Sequence, residues 1–330
     1  MADPDLYLAA AELARAAFDI DDHDLDLIVV GENVTYCAHR PDSAYVLRLH
    51  RPGYHSLEEL DSERVWLAAL ADTGISVPEP VSAPDGRFFI SVAVAPGDDR
   101  LAGLTRWREG DVVADLQHST DVHASMTVPF AQLGALMAQM HSQAVAWDPP
   151  AGFIRQRLDA DGLVGEAPFW GRFWEADELT PTQATALDEA RLVALDRLRQ
   201  WGEPVNRFSV IHADLHLGNL LVDPTGALSV IDFDDAGYGW HQYDMAVALL
   251  HMQDAPDASE ARAAFFEAYR ATRPITDDEL GWVPFFETVR LMALIGWKAQ
   301  RPEVSWPAGR FNDLVEQALA RVEDLDNPAG

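Results

Sequence analysis

Lysine is nearly missing from this chain: Lys298 is the only one, and the rest of the 24 basic residues are arginines. Set against 54 acidic residues, they leave a formal net charge of -30. So acidic a surface repels polyanions across the Debye length of about 8 Å at physiological salt, which argues against nucleic acid and anionic membranes as partners. Cysteine is as scarce as lysine. Cys37 stands alone, so no intramolecular disulfide can form and nothing asks for an oxidising compartment. No apolar run reaches the roughly 18–20 residues a membrane span needs. The opening MADPDLYLAAAELARAAF lacks both the basic start and the unbroken apolar core of a signal peptide, and a cytoplasmic protein is expected. Gly/Ser and Gln/Asn tracts and internal repeats are also missing, which sets disorder aside.

What is present is ordinary for a folded chain: 330 residues, 48% hydrophobic and 24% charged. That length allows one large or two medium domains, and two lobes are the expectation. Residues 5–18 have helical period, and LDLIVVGENVTYCAHRPDSAYVLRLHR then alternates as strand, Gly-containing loop, strand, Pro-Asp turn and strand. SLEELDSERVWLAALADTG is helical again, and RFFISVAVA and LAGLTRWREG resume strand character. Beyond about residue 111 helical patterns dominate, as in FAQLGALMAQMHSQA and TQATALDEARLVALDRLRQW. The stretch 153–180 is rich in Trp and Gly and has no clear period. The pattern predicts an α+β protein with two lobes: a small antiparallel-sheet lobe over 1–110, and a larger mainly helical lobe over 111–330.

The most informative stretch is VIHADLHLGNLLVDPTGALSVIDFDDAGYGW, residues 210–240. An Asp follows His212 by two residues, at Asp214, and an Asn follows five later, at Asn219. After a hairpin turning at Asp223-Pro-Thr-Gly226 comes Ile231-Asp232-Phe233-Asp234-Asp235. This is the spacing of a kinase catalytic loop followed by its metal-binding Asp. Phosphoryl transfer needs an acceptor hydroxyl held in line with the γ-phosphate, and Mg²⁺ to offset charge on the β and γ oxygens. A hairpin brings its two ends together, so Asn219 and Asp232 can supply hard oxygen ligands to one ion while Asp214 orients or deprotonates the acceptor.

Supporting parts lie upstream. Tyr45-Val-Leu-Arg48-Leu occupies the strand on which kinases place a phosphate-binding Lys, and Glu63 in the next helix is a candidate ion-pair partner. Gly31-Glu32-Asn33, between the first two strands, lies where backbone N–H groups would cover phosphates, although it has one Gly rather than three.

On Glu32-Asn33 with Tyr36, Leu47-Arg48 with Arg51-Pro52, His212 to Asn219, Ile231 to Asp235 and Asp244-Met-Ala246, the chain resembles the aminoglycoside phosphotransferase and choline kinase superfamily. Within it, stress response kinase A and type II homoserine kinase-like phosphotransferases are the most similar groups. The resemblance runs nearly the full length and implies a two-lobed protein-kinase-like fold, with ATP and Mg as cofactors. It implies Asp214 as catalytic base, Asn219, Asp232 and Asp234 as metal residues, and His212, His216, Asp235 and Asp244 as supporting ones. Gly31, Glu32, Asn33, Arg48, Glu63 and the hinge residues Arg106 and Trp107 would meet the nucleotide. Arg48 stands where Lys is usual, and a planar fork does not hold phosphates as a point charge does. The acceptor implied is a hydroxyl of a small molecule such as an amino alcohol, sugar or aminoglycoside, cationic ones included. A protein Ser/Thr and a nucleotide-binding pseudoenzyme are the alternatives.

Other readings of the same residues are possible. Asp and Asn in loops often serve turns and caps. His212 and His216, four apart, would suit zinc on a helix, but Gly218 and the strand-like flanks oppose a helix there. Trp170, Phe173 and Trp174 read as core, with a cage for a cationic amine as the alternative.

Overall fold

The computed structural model describes residues 4–118, 125–253, 255–302 and 304–326. The chain divides into two compact units, 1–110 with 148–154 and 221–231, and 111–147 with 155–220 and 232–330. The two later segments that join the first unit have no counterpart in a reading of the sequence as two consecutive blocks. Their polar links explain it: Val230 N–H donates to the Ser76 carbonyl at 2.9 Å, Ser229 and Ser76 share a hydroxyl bond at 2.7 Å, and Ile154 N–H donates to Ser62 Oγ at 2.9 Å.

In the first unit, α1 (Pro4–Ala17) precedes β1 (Asp24–Val30), β2 (Val34–Arg40), β3 (Ser43–Leu49), α2 (Leu57–Ala71), β4 (Pro80–Val81), β5 (Phe89–Ala95) and β6 (Asp98–Arg106). The strands form one antiparallel sheet in the order β1-β2-β3-β6-β4, and β5 also pairs with β6. Period-two alternation puts Val34, Tyr36 and Ala38 of β2 on the buried face, against Tyr7, Ala10, Ala11 and Ala14 of α1 at helical spacing. Fully burying a side chain of the size of Val34 contributes on the order of 1.5–3 kcal/mol, and each alanine methyl roughly 0.8 kcal/mol. α2 starts at a capping box in which Ser56 Oγ accepts from Glu59 N–H and the Glu59 carboxylate accepts from Ser56 N–H. Buried His23 bonds Asp22 at 2.9 Å and Ser43 Oγ at 2.8 Å, while Arg40 donates to both Asp22 and Ser43, a four-residue knot that fastens the start of β3.

The second unit opens with β7 (Asp111–Val112), α3 (Val113–His118) and α4 (Thr127–Ala146), followed by β8 (Arg157–Leu158), α5 (Ala160–Val164), α6 (Pro181–Trp201) and β9 (Phe208–Ile211). The hairpin strands β10 (Leu220–Val222) and β11 (Leu228–Val230) carry the chain through the 221–231 segment of the first unit. Then come β12 (Gly237–Trp240), α7 (His241–Leu250), α8 (Ala258–Thr272), α9 (Asp277–Gly281), α10 (Val283–Ala299) and α11 (Arg310–Ala320). Every residue of α7 is buried, as befits a helix apolar on most sides. Trp201 stacks on Trp282 at 4.1 Å and 6°, beside Trp240 and Phe286. The stretch 153–180 supplies short turns whose Trp170, Phe173 and Trp174 are buried. The cations over those rings are the chain's own: Arg290 over Trp170 at 5.3 Å and Arg191 over Trp174 at 4.3 Å. Among the described residues no helix is long and apolar enough to cross a membrane.

Candidate functional site

Strand β12 pairs antiparallel with β9, with Gly237 opposite Ile211, and parallel with β8. The loop that leaves β9 at His212 and the loop that enters β12 through Ala236 therefore emerge at the same end of this small sheet. β9 is buried at all four positions, so the first loop leaves a strand held on both faces. A Cβ at Gly237 would lie 2.6 Å from the Gln156 carbonyl oxygen, so only glycine admits this approach. Arg155 holds the second loop by its carbonyls, donating to Ala236 at 2.6 Å and to Asp234 at 2.7 Å, and Gln156 Nε2 donates to the Asp235 carbonyl at 2.8 Å.

Each motif loop contains one non-glycine residue in the left-handed region, Ala213 at φ 65° and Asp232 at φ 64°. Such residues cost of order 1–3 kcal/mol and persist only where neighbours hold them. At Ala213 the holder is Asp244, whose carboxylate accepts from Ala213 N–H at 2.8 Å and from His212 N–H at 3.2 Å. Burial raises Asp244 to about 6, against which the nearby His212 and the two backbone donors act. His141 reaches the same carboxylate through Nε2 at 3.1 Å and meets the Tyr269 hydroxyl through Nδ1 at 2.9 Å. Burial pushes His141 well down, so a neutral ring donates to Asp244 and accepts from Tyr269.

Asp214 sits on the first loop, half-buried. Its Oδ1 accepts from Arg290 Nη2 at 2.6 Å, and its Oδ2 lies 3.3 Å from Asn219 Nδ2 and 3.6 Å from His216 Nε2. Burial alone would raise this carboxyl, but the His216 contact and the Arg290 charge outweigh it and hold Asp214 well below the usual carboxylate range. Asn219 Nδ2 also donates to the Asp214 carbonyl at 2.9 Å. Only a donor can face two oxygens, so the Asn219 amide oxygen is the branch turned away from Asp214. A Cβ at Gly218 would meet the His216 ring at 2.7 Å, and the ring itself stacks on His251 at 4.2 Å. His212 follows a strand and His216 precedes a 3-10 turn, so the two are not on one helix face as a zinc pair would require.

The fold thus brings together Asp214, Asn219, His212, His216 and Asp244, with Asp232, Asp234 and Asp235 on the neighbouring loop. Arg290, Arg155 and His141 complete the arrangement and were not singled out from the sequence. Arg290 had a signal: with Glu287 it is one of two charges in the otherwise mostly apolar FFETVRLMALIGW, where burial demands a partner. Among the described residues no group of three or more His, Cys, Asp or Glu stands ready to hold a metal ion. Mg²⁺ does not need one, since it keeps waters and takes substrate phosphates beside one or two carboxylates, and the Asn219 and Asp232 oxygens are of that hard type.

The remaining sequence candidates belong to the first unit. Arg48 lies on β3 opposite Thr35 on one side and Gly103 on the other, and Glu63 lies on α2. Asn33 Oδ1 accepts from Arg51 N–H at 2.9 Å, Glu32 pairs with the Arg51 guanidinium, and Gly31 N–H donates to the Asn33 carbonyl at 3.0 Å. Arg106 ends β6 and pairs with Glu79 at 3.2 Å, and Trp107 N–H donates to the Ala44 carbonyl at 3.0 Å.

Residues 31–280 match the family model described as the APH phosphotransferase enzyme family. A microcompartment-associated aminopropanol kinase is 29% identical, with a TM-score of 0.81 and 97% of each chain covered. A homoserine kinase of Methylobacillus glycogenes is 26% identical over 92% of this chain and 90% of its own. The structure of an amicoumacin kinase bound to AMP-PNP, Ca²⁺ and its ligand shares the fold at a TM-score of 0.77 and 21% identity, covering 98% of this chain and 93% of that one.

Proposed function

The chain belongs to the APH phosphotransferase enzyme family and is a kinase, and from that premise we propose that it transfers the γ-phosphate of ATP to a hydroxyl of a small amino alcohol, with Mg²⁺ as cofactor. The observation that supports this most is the Asp214 carboxylate, half-buried and kept ionised, on a loop at the same sheet end as the Asp232 loop.

Asp214 would accept a hydrogen bond from the acceptor hydroxyl and aim its oxygen. Held below the usual range it is a weak base, which suits a loose transition state that asks the protein mainly for positioning. Asn219, Asp232 and Asp234 would hold Mg²⁺, which when bound offsets the charge on the phosphate oxygens. Arg48, with Glu63 behind it, is assigned to the nucleotide's phosphates, with Gly31, Glu32 and Asn33 as its cover and Arg106 and Trp107 at the base. His212, Asp244 and Asp235 keep the two loops in shape. An amine on the acceptor is favoured by the net charge of -30 and by the chemistry of aminopropanol and homoserine, which both pair an amine with a hydroxyl.

The test is incubation with γ-labelled ATP, Mg²⁺ and pooled amino alcohols, sugars, aminoglycosides and a protein substrate. The expected result is label on an amino alcohol, reduced about 10²–10⁴-fold in Asp214→Ala with ATP binding retained. Label on protein alone would replace the proposal with a Ser/Thr kinase, and ATP binding with no transfer to any acceptor would point to a pseudoenzyme.

A further inference from the structure

Helix α10 is buried along most of its length, yet it carries Arg290 at its centre with 6% of the residue exposed. Placing a guanidinium there costs several kcal/mol unless its geometry and bonds compensate. Contacts from three separate segments, the Asp214 loop, α7 and the 153–180 stretch, meet it. Nη2 donates to Asp214 Oδ1 at 2.6 Å, Nη1 donates to the Tyr243 hydroxyl at 3.3 Å, and the Trp170 ring lies 5.3 Å beneath. Trp170 in turn stacks on Tyr243, at 6.1 Å and 16°. A Cβ at Gly296, on the same helix as Arg290, would lie 2.7 Å from the Trp170 carbonyl oxygen, so this glycine lets the aromatic floor approach the helix.

The two oxygens of Asp214 are thereby held from opposite origins. Oδ2 is reached by Asn219 and His216 from within its own loop, and Oδ1 by Arg290 from helix α10. The terminal torsion of an aspartate is soft, with broad wells, so loop contacts to one oxygen leave the carboxylate free to swing. A rigid fork on a buried helix removes that freedom. We infer that Arg290 is a positioning residue of phosphotransfer, whose guanidinium fixes the Asp214 carboxylate at the angle from which it aims the acceptor hydroxyl. The inference rests on the role given above to Asp214.

Arg290→Met keeps much of the stem volume without the charge, and leaves Asp214 half-exposed rather than stranded in an apolar core. The variant should bind ATP with a KM within about twofold of wild type while kcat for transfer falls roughly 10- to 100-fold, the scale of a misplaced reacting group. Phosphorylated acceptor formed per ADP released should fall as well, because water takes the place of a hydroxyl that is no longer aimed. Arg290→Lys keeps the charge but cannot present two nitrogens in one plane to Asp214 and Tyr243, and should recover only part of the rate. The inference is overturned if Arg290→Met keeps wild-type kcat, or if transfer drops with the product-to-ADP ratio unchanged. Asp214→Asn separates the two levels. If that variant transfers normally, the reading of Asp214 itself fails; if it is inactive while Arg290→Met behaves as wild type, only the Arg290 inference fails.

Discussion

Asp244 has no solvent exposure, and its carboxylate does its work by gathering N–H groups from the residues before Asp214. Its folded value of about 6 lies above the ordinary 3.8, so between those limits the folded protein binds a proton that the unfolded chain has released. Stability from this group is therefore greatest on the acid side and declines as pH rises from about 4 to 6. Asp244→Asn should remove that dependence. The difference in urea unfolding free energy between wild type and variant is expected to change across pH 4–6 and level off above it; a difference flat throughout would mean Asp244 titrates normally. At this scale the sequence was partly readable. Asp214, Asn219 and Asp232 stood out because they lie close together in the chain at kinase spacing. Arg290 did not, because its partner is 76 residues away and only the packing of α10 against the loop joins them.

At the scale of elements, the two loops owe their proximity to strand pairing. The sequence credited the β10–β11 hairpin with that task, and the hairpin is present with its Asp223 turn capped through Thr225 and Ala227 N–H groups. It belongs mostly to the first unit, and the pairing of its strands sets Asn219 beside the start of the Asp232 loop, while the antiparallel match of β9 with β12 sets His212 and Ala236 at one sheet end. Strands β1 to β3 were legible because alternation is a local signal, whereas the stretch 153–180 was not, since its short turns are shaped by what they pack against. The left-handed Asp232 yields a prediction of its own. Asp232→Asn keeps a side chain that tolerates φ near +60°, while Asp232→Ala does not and should be less stable by about 1 kcal/mol. Both should lose transfer. Equal stabilities in denaturant unfolding would show that the neighbours, not the residue's own preference, set this angle.

For the whole molecule, the governing quantity is the charge of -30. Metal-free ATP, a polyanion, must approach against this field, and salt weakens the field over distance. Calorimetric titration should therefore find metal-free ATP binding feebly and tightening as salt is raised, whereas Mg²⁺ should strengthen binding steeply at low salt. Affinity indifferent to both would mean that local arginines dominate over the net charge.

The tryptophan stack also determines how unfolding can be watched. Of the ten tryptophans, all but Trp66 and Trp107 belong to the second unit, and Trp201 and Trp282 are nearly parallel, stacked neighbours whose electronic transitions must couple. Indole emission and near-ultraviolet dichroism are thus optical gauges mainly of the second unit. A melt followed by fluorescence alone would pass over the sheet of the first unit, and agreement with far-ultraviolet dichroism is the test of whether one transition serves both.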